Sequence, residues 1–194
     1  DIAVWTQGAI RHTSVIPIAG DQVTNDIAMA LRTPTREAED IKCKYGCALS
    51  QLADVSENLD VAGVDDRPSR KLSRRALADV IQPRVEELYE LIQNELRRAG
   101  FEEVLSSGIV LTGGASVMPG MVELGEEIFH MPVRLGNPKY TGSLADVVQN
   151  PRFSTAYGLL LEAQAQRKRG QKIQEKQGFK DVFDGMKSWF AKNF

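Results

Sequence analysis

Thr112-Gly113-Gly114-Ala115 follows the apolar run Ile109-Val110-Leu111 and leads into a helical pattern that starts near Pro119 and runs through Leu124 to Phe129. Glycines between a strand and a helix let the backbone approach a ligand, and the helix beyond offers free N–H groups and a positive dipole end to a phosphate. The same pattern also serves as a plain tight connection. Gly20-Asp21 is a second turn of this kind, and Met118 stands close behind the first. Glu39 and Lys42, three apart on a helical segment, form either a polar clamp for a base or ribose or a solvated ion pair. Hydrolytic chemistry has no visible carrier. His12 and His130 have no nucleophile nearby, no P-loop signature occurs, and no paired carboxylates are placed to activate a water. Cys43 and Cys47 lie on adjacent turns of an expected helix, which does not give disulfide geometry, and two histidines make no metal cluster. Free thiols in a reducing cytoplasm are expected. There is neither a signal peptide nor a transmembrane run.

A second kind of chemistry sits at residues 179–194, FKDVFDGMKSWFAKNF. Wound as an α-helix, Phe179, Val182, Phe183, Met186, Trp189, Phe190 and Phe194 fall within an arc of about 140°. Each aromatic ring carries roughly 150–250 Å² that is costly to expose. The preceding stretch is polar and basic, with no apolar periodicity. An aromatic helix on a polar tether reads as a segment lying in a membrane interface, too short and too charged to span a bilayer. The alternative is a terminal helix docked on its own domain or on a partner. From Gln166 onward the chain carries eight basic and three acidic residues, a net of +5, which leaves −7 on residues 1–165 of a chain whose total is −2. An acidic body with a basic, aromatic tail suits anionic lipid better than nucleic acid.

These residues need elements to hold them. At 194 residues, 42% apolar and 26% charged, the chain can bury a core of one medium domain or two small subdomains. Residues 1–18 alternate as a hairpin turning at Gln7-Gly8, and a helix follows Gly20 with apolar residues at Val23, Ile27, Ala30 and Leu31. Thr35 is placed to cap the next helix, which ends at Gly46. A small hairpin is expected around Leu59–Val64 and Leu72. The pattern then predicts a helix with a break or kink before Pro83 and a new helix to Arg98, its buried stripe Val85, Leu88, Ile92, Leu96 and Ala99. Ile109–Leu111 reads as a strand buried on both faces, and Ser154–Leu160 as a small-residue helix packed tightly against something. Alternating strands and helices from 101 to 163 argue for an α/β layer. The chain starts on Asp1 and runs at once into Ile2-Ala3-Val4-Trp5, as expected of a fragment or of a chain lacking its first half.

Together DIAVW, IPIAGDQVTNDIA, AEDIKCKYG, QPRVEELYELI and GIVLTGGASVMPGM resemble the bacterial cell-division FtsA family of the actin and Hsp70 ATPase superfamily, over essentially the whole chain and including the amphipathic end. The resemblance implies an actin-like (ribonuclease H-like) α/β fold. Asp1 would close a glycine- and threonine-rich phosphate loop. Residues 1–22 and 101–163 would form a lower nucleotide-binding subdomain, with 23–100 inserted as an upper one. A flexible linker would span 164–178, and the membrane-targeting helix 179–194. Carried over by position, the adenosine loop falls on Gly113, Gly114 and Ala115 with Met118. Glu39 and Lys42 match the helix holding base and ribose, and Gly20-Asp21 a third wall. Cys43 departs from the polar residue of other superfamily members and is left out of the site. Arg84 and Glu87 match the face that receives the C-terminal peptide of FtsZ, and Arg70 lies in the hairpin where filament contacts are made. The resemblance implies an ATP-binding (with Mg) adaptor rather than a turnover enzyme. Such an adaptor polymerises on the cytoplasmic face of the inner membrane at the division site, anchors FtsZ and helps recruit later divisome proteins. By the same resemblance the superfamily's hydrolytic residues would lie in the missing first half, so this stretch says nothing about turnover. Rival readings on the same fold are a rod-shape or pilus-assembly actin homologue, a chaperone ATPase or a sugar kinase.

Overall fold

The computed structural model describes residues 1–63, 68–102 and 104–169. The chain divides into two units, Asp1–Ser154 and Thr155–Phe194. The first opens on an antiparallel hairpin of β1 (Ile2–Thr6) and β2 (Ala9–Ser14). Gln7 and Gly8 both take positive φ, 52° and 78°, the two-residue turn whose twist matches paired strands. The register shifts between Val4 and Trp5. Val4 is buried, while Trp5, opposite Ile10, is exposed.

Helix α1 (Gly20–Leu31) buries Val23, Ile27 and Leu31, a spacing of four that keeps one face on the core. Its entry is fixed by Gln22, whose Oε1 accepts the Ala19 N–H at 2.8 Å. In α2 (Thr35–Tyr45) the position before the first turn belongs to Pro34, so Thr35 is the first helical residue and not the cap. Gly46 ends α2 as expected, for a different reason. Its φ of −53° is open to any residue, but a Cβ there would meet the Lys42 carbonyl oxygen at 2.3 Å and Met118 Cε at 3.3 Å. Strands β3 (Asn58–Val61) and β4 (Arg70–Ser73) pair antiparallel with Leu59 opposite Leu72. Arg70 donates from Nη2 to the Leu31 carbonyl at 2.7 Å, tying β4 to the end of α1.

Helix α3 runs unbroken from Arg74 to Arg98 with Pro83 inside it, and Ser73 Oγ caps it by accepting the Ala76 N–H at 3.2 Å. The expected break before Pro83 is absent. Pro83 and Asp79, four residues earlier, both lie on the exposed face. The carbonyl that the proline leaves unbonded is therefore at the solvent side, where water can satisfy it. The buried stripe is Leu77, Ile81, Val85 and Tyr89, then Leu96. It shares Val85 and Leu96 with the expected one, and Leu88 and Ile92 pack at its margin.

Strands β5 (Ile109–Leu111) and β6 (Val133–Leu135) pair in parallel across the connecting α4 (Met121–Phe129). The expectation that β5 is buried on both faces fails, since Val110 is 48% exposed while Ile109 and Leu111 pack on the core. Among the described residues β5 pairs only with β6, so its residues alternate between a covered and an open face. A short α5 (Ala145–Val148) follows. One hydrophobic cluster joins α1, α2, β3, α3 and α4. At its heart the Tyr89 ring lies 5.1 Å from that of Phe129, and its hydroxyl donates to the Met121 carbonyl at 2.9 Å. Burial pushes the Tyr89 phenol well up, so it stays a donor. The core thus crosses the expected subdomain boundary at residue 100.

The second unit contains α6 from Thr155 on; the helix runs Ser154–Lys168 and none of its residues is buried. Leu159, Leu160 and Leu161 are consecutive and so spread around the helix instead of forming one stripe. Residues 164–168, expected in a linker, continue α6. The membrane-targeting residues Phe179, Val182, Phe183, Met186, Trp189, Phe190 and Phe194 lie outside the described residues.

Candidate functional site

Four segments distant in sequence close around a cavity of about 130 Å³. The approach to α1 gives Ile18, Ala19, Gly20 and Val23; α2 gives Lys42 and Cys43; α3 gives Arg84, Val85 and Leu88. The fourth wall is Gly114, Ala115, Val117, Met118, Pro119 and Met121. Of the residues singled out for a nucleotide, Gly20, Lys42, Gly114, Ala115 and Met118 line this cavity, and Gly113, Asp21 and Glu39 do not.

Gly113 has a φ of 94° and nothing near the place a Cβ would occupy, so backbone conformation and not space demands glycine there. Its carbonyl accepts from Ser116 Oγ at 2.8 Å, and its N–H donates to the Pro151 carbonyl at 3.2 Å. The helix expected from near Pro119 to Phe129 is α4, which begins at Met121, and a 3-10 turn over Gly114–Val117 lies between it and the glycines. The N–H groups of Gly114 and Ala115 open that short turn and have no carbonyl within it to bond.

Glu39 and Lys42 are the expected i,i+3 pair, Nζ to Oε2 at 2.7 Å. The pair has a third member, Thr24, which no motif in the sequence marks. Lys42 Nζ also donates to Thr24 Oγ1 at 2.8 Å and to the Gly20 carbonyl at 3.0 Å, and Thr24 Oγ1 donates to Glu39 Oε2 at 2.5 Å. Thr24 is buried, four residues beyond Gly20 on the same helix face. That spacing is its only signal. Burial pushes the Glu39 carboxyl up, but hydrogen bonds from Lys42, Thr24 and Cys43 outweigh this and hold it below its usual range. Cys43, left out of the site on sequence grounds, is on the cavity wall with its thiol donating to Glu39 Oε1 at 3.3 Å. Burial, the hydrogen bond to Glu39 and the Glu39 charge push that thiol up. Cys43 and Cys47 are both free, Cys47 buried just past the end of α2.

Arg84 and Glu87 lie on the polar side of α3, paired with one another. Asp26 of α1 takes the Arg84 guanidinium from a second side, Nε to Oδ2 at 2.5 Å and Nη2 to Oδ1 at 3.0 Å. Arg84 also lines the cavity. Val23, Leu88, Val117 and Met118 give the cavity apolar surface, Lys42 gives it an ammonium paired to Glu39, and the 3-10 turn gives it backbone N–H groups.

A family model described as Cell division protein FtsA matches residues 1–158. The chain is 64% identical over 161 residues to Cell division protein FtsA of Pseudomonas aeruginosa, covering 83% of this chain and 39% of that protein. Its likeness to the Neisseria meningitidis protein of the same description is 45% over 200 residues, covering 100% of this chain and 48% of the relative. For Escherichia coli K12 the figures are 43% over 204 residues, 100% and 49%. The chain spans about half the length of these relatives or less. Among solved structures, MreB 5 of Spiroplasma citri bound to AMPPNP superposes with a TM-score of 0.68 at 16% identity, over 86% of this chain and 50% of that one. A chain of the PilM–PilN type IV pilus biogenesis complex gives 0.53 at 21% identity, over 79% and 39%. These structural likenesses establish an actin-like fold and nothing finer, while sequence identity separates this chain from the other users of that fold. With the match running through both the glycine turn and α3, the chain belongs to the FtsA family of bacterial cell-division proteins.

Proposed function

We propose that this chain supplies the nucleotide-contacting and partner-docking portion of an actin-like division adaptor. It binds ATP with magnesium, polymerises on the cytoplasmic face of the inner membrane at the division site, tethers FtsZ filaments there and helps recruit later divisome proteins. The observation that carries the reading is the convergence of Gly20, Lys42, Gly114, Ala115 and Met118, 98 positions apart at the extremes, on one cavity. The MreB of the same fold carries AMPPNP, which agrees with a nucleotide here. In this reading the base lies against Val23 and Met118, and a ribose hydroxyl donates to Glu39, whose Oε1 otherwise accepts only a weak thiol donor. Phosphate oxygens face the Gly114 and Ala115 amides, and magnesium is held chiefly by the phosphates. No histidine or carboxylate is among the residues lining the cavity, and both of its cations are paired to carboxylates, Lys42 to Glu39 and Arg84 to Asp26. Arg84 and Glu87 take the acidic and basic groups of the FtsZ C-terminal peptide, and the 179–194 helix attaches the filament to anionic lipid.

The test is a titration of the full-length protein with a fluorescent ATP analogue. Gly114→Val is expected to lower affinity at least about ten-fold, because a side chain would fill the amide edge. A Cβ at Gly114 meets nothing closer than Arg152 Cβ at 3.9 Å, so the fold tolerates the change. Equal affinities for the two proteins would overturn the assignment.

A further inference from the structure

Three of the five N–H donors of Arg84 are engaged before any partner arrives. Its Nε and Nη2 form a parallel fork suited to a carboxylate, and Asp26 holds both at 2.5 and 3.0 Å. Glu87 takes a donor on Nη1. The Asp26–Arg84 pair joins α1 to α3 across 58 residues of sequence, with both side chains less than one-third exposed. A carboxylate from outside that seeks the Nε/Nη2 fork therefore meets a group of its own chemistry already seated there.

We propose that Asp26 is an internal competitor for Arg84: an acidic peptide docks by displacing the Asp26 carboxylate, and the tie between α1 and α3 opens as it does so. The proposal rests on the reading of Arg84 as a docking residue and adds what that residue must give up. Like charge decides the outcome. Asp26 and the incoming carboxylate cannot share one fork without repulsion, so the peptide's affinity is set by the difference between two similar contacts. Glu87 sits beside the same fork and adds to the repulsion until a basic group of the peptide meets it. The opened tie reaches the cavity too, since Arg84 forms part of its wall and α1 begins at Gly20 on the same wall.

The experiment measures binding of a fluorescein-labelled FtsZ C-terminal peptide to the full-length protein by anisotropy. Asp26→Asn, which keeps shape and removes charge, is expected to tighten binding about three- to ten-fold, within the usual range of site couplings. Asp26→Ser serves the same purpose should the amide still bind the guanidinium, and Asp26→Glu is expected to restore wild-type affinity. With Arg84→Gln added, the gain disappears. Unchanged or weaker binding in Asp26→Asn and Asp26→Ser would overturn the proposal, since Asp26 would then be orienting Arg84 for the peptide. A distinct result, Arg84→Gln binding like wild type, would remove the docking reading itself.

Discussion

Lys42 commits all three of its ammonium donors, to the Gly20 carbonyl, Thr24 Oγ1 and Glu39 Oε2. Its charge is used to hold α1 against α2 beside the cavity, and Glu39 is the carboxylate that balances it. Because the Glu39 carboxyl is held below its usual range, its contribution to stability is present above the ordinary carboxylate range and is lost as pH falls through the depressed value. Glu39→Gln is therefore expected to lower the urea midpoint near neutral pH and to match wild type in strong acid. A gap that persists undiminished in acid would contradict this. The effect is modest, since the Glu39 side chain is 45% exposed and its pair is partly screened. The Glu39–Lys42 spacing was legible because i,i+3 partners share a helix face. Thr24 and Asp26 were not, because their partners come from α2 and α3, and no local pattern connects residues on different helices.

At the level of elements, hydrophobic period and turn chemistry placed the Gln7-Gly8 hairpin, the start of α1 after Gly20, the end of α2 at Gly46, the β3–β4 pair and strand β5. They failed where solvent decided the matter. The ring of Pro83 by itself predicts a break, yet the residue sits on the face of α3 where a freed carbonyl meets water. Pro83→Ala is expected to restore the missing hydrogen bond and to stabilise the protein by about 1–2 kcal/mol, less than the full interior cost of proline. A calorimetric melting temperature at or below that of wild type would show that the proline's restriction of the unfolded chain outweighs the missing bond. The exposure of Val110 in β5 departs from expectation because an apolar run names a wish to be covered, not the element that covers it.

For the whole molecule, the charge division between an acidic body and a +5 tail was plain from composition, and the family likeness extended across the chain. In the proposed function the tail works by number. One amphipathic helix binds lipid weakly, and a filament that presents many gains about 10²–10⁴-fold in avidity. Trp189→Glu with Phe190→Glu is expected to abolish co-sedimentation of the full-length protein with anionic liposomes; unchanged pelleting would remove the membrane role.

The rivet of Tyr89 between Phe129 and the Met121 carbonyl has a consequence for recognition. It fastens α3 to α4 directly beneath the walls of the cavity, in a core that also grips α1 and α2. A guest therefore finds its receptor already shaped and forfeits little disorder on arrival. Whatever tightening it provokes is left to side chains at the rim.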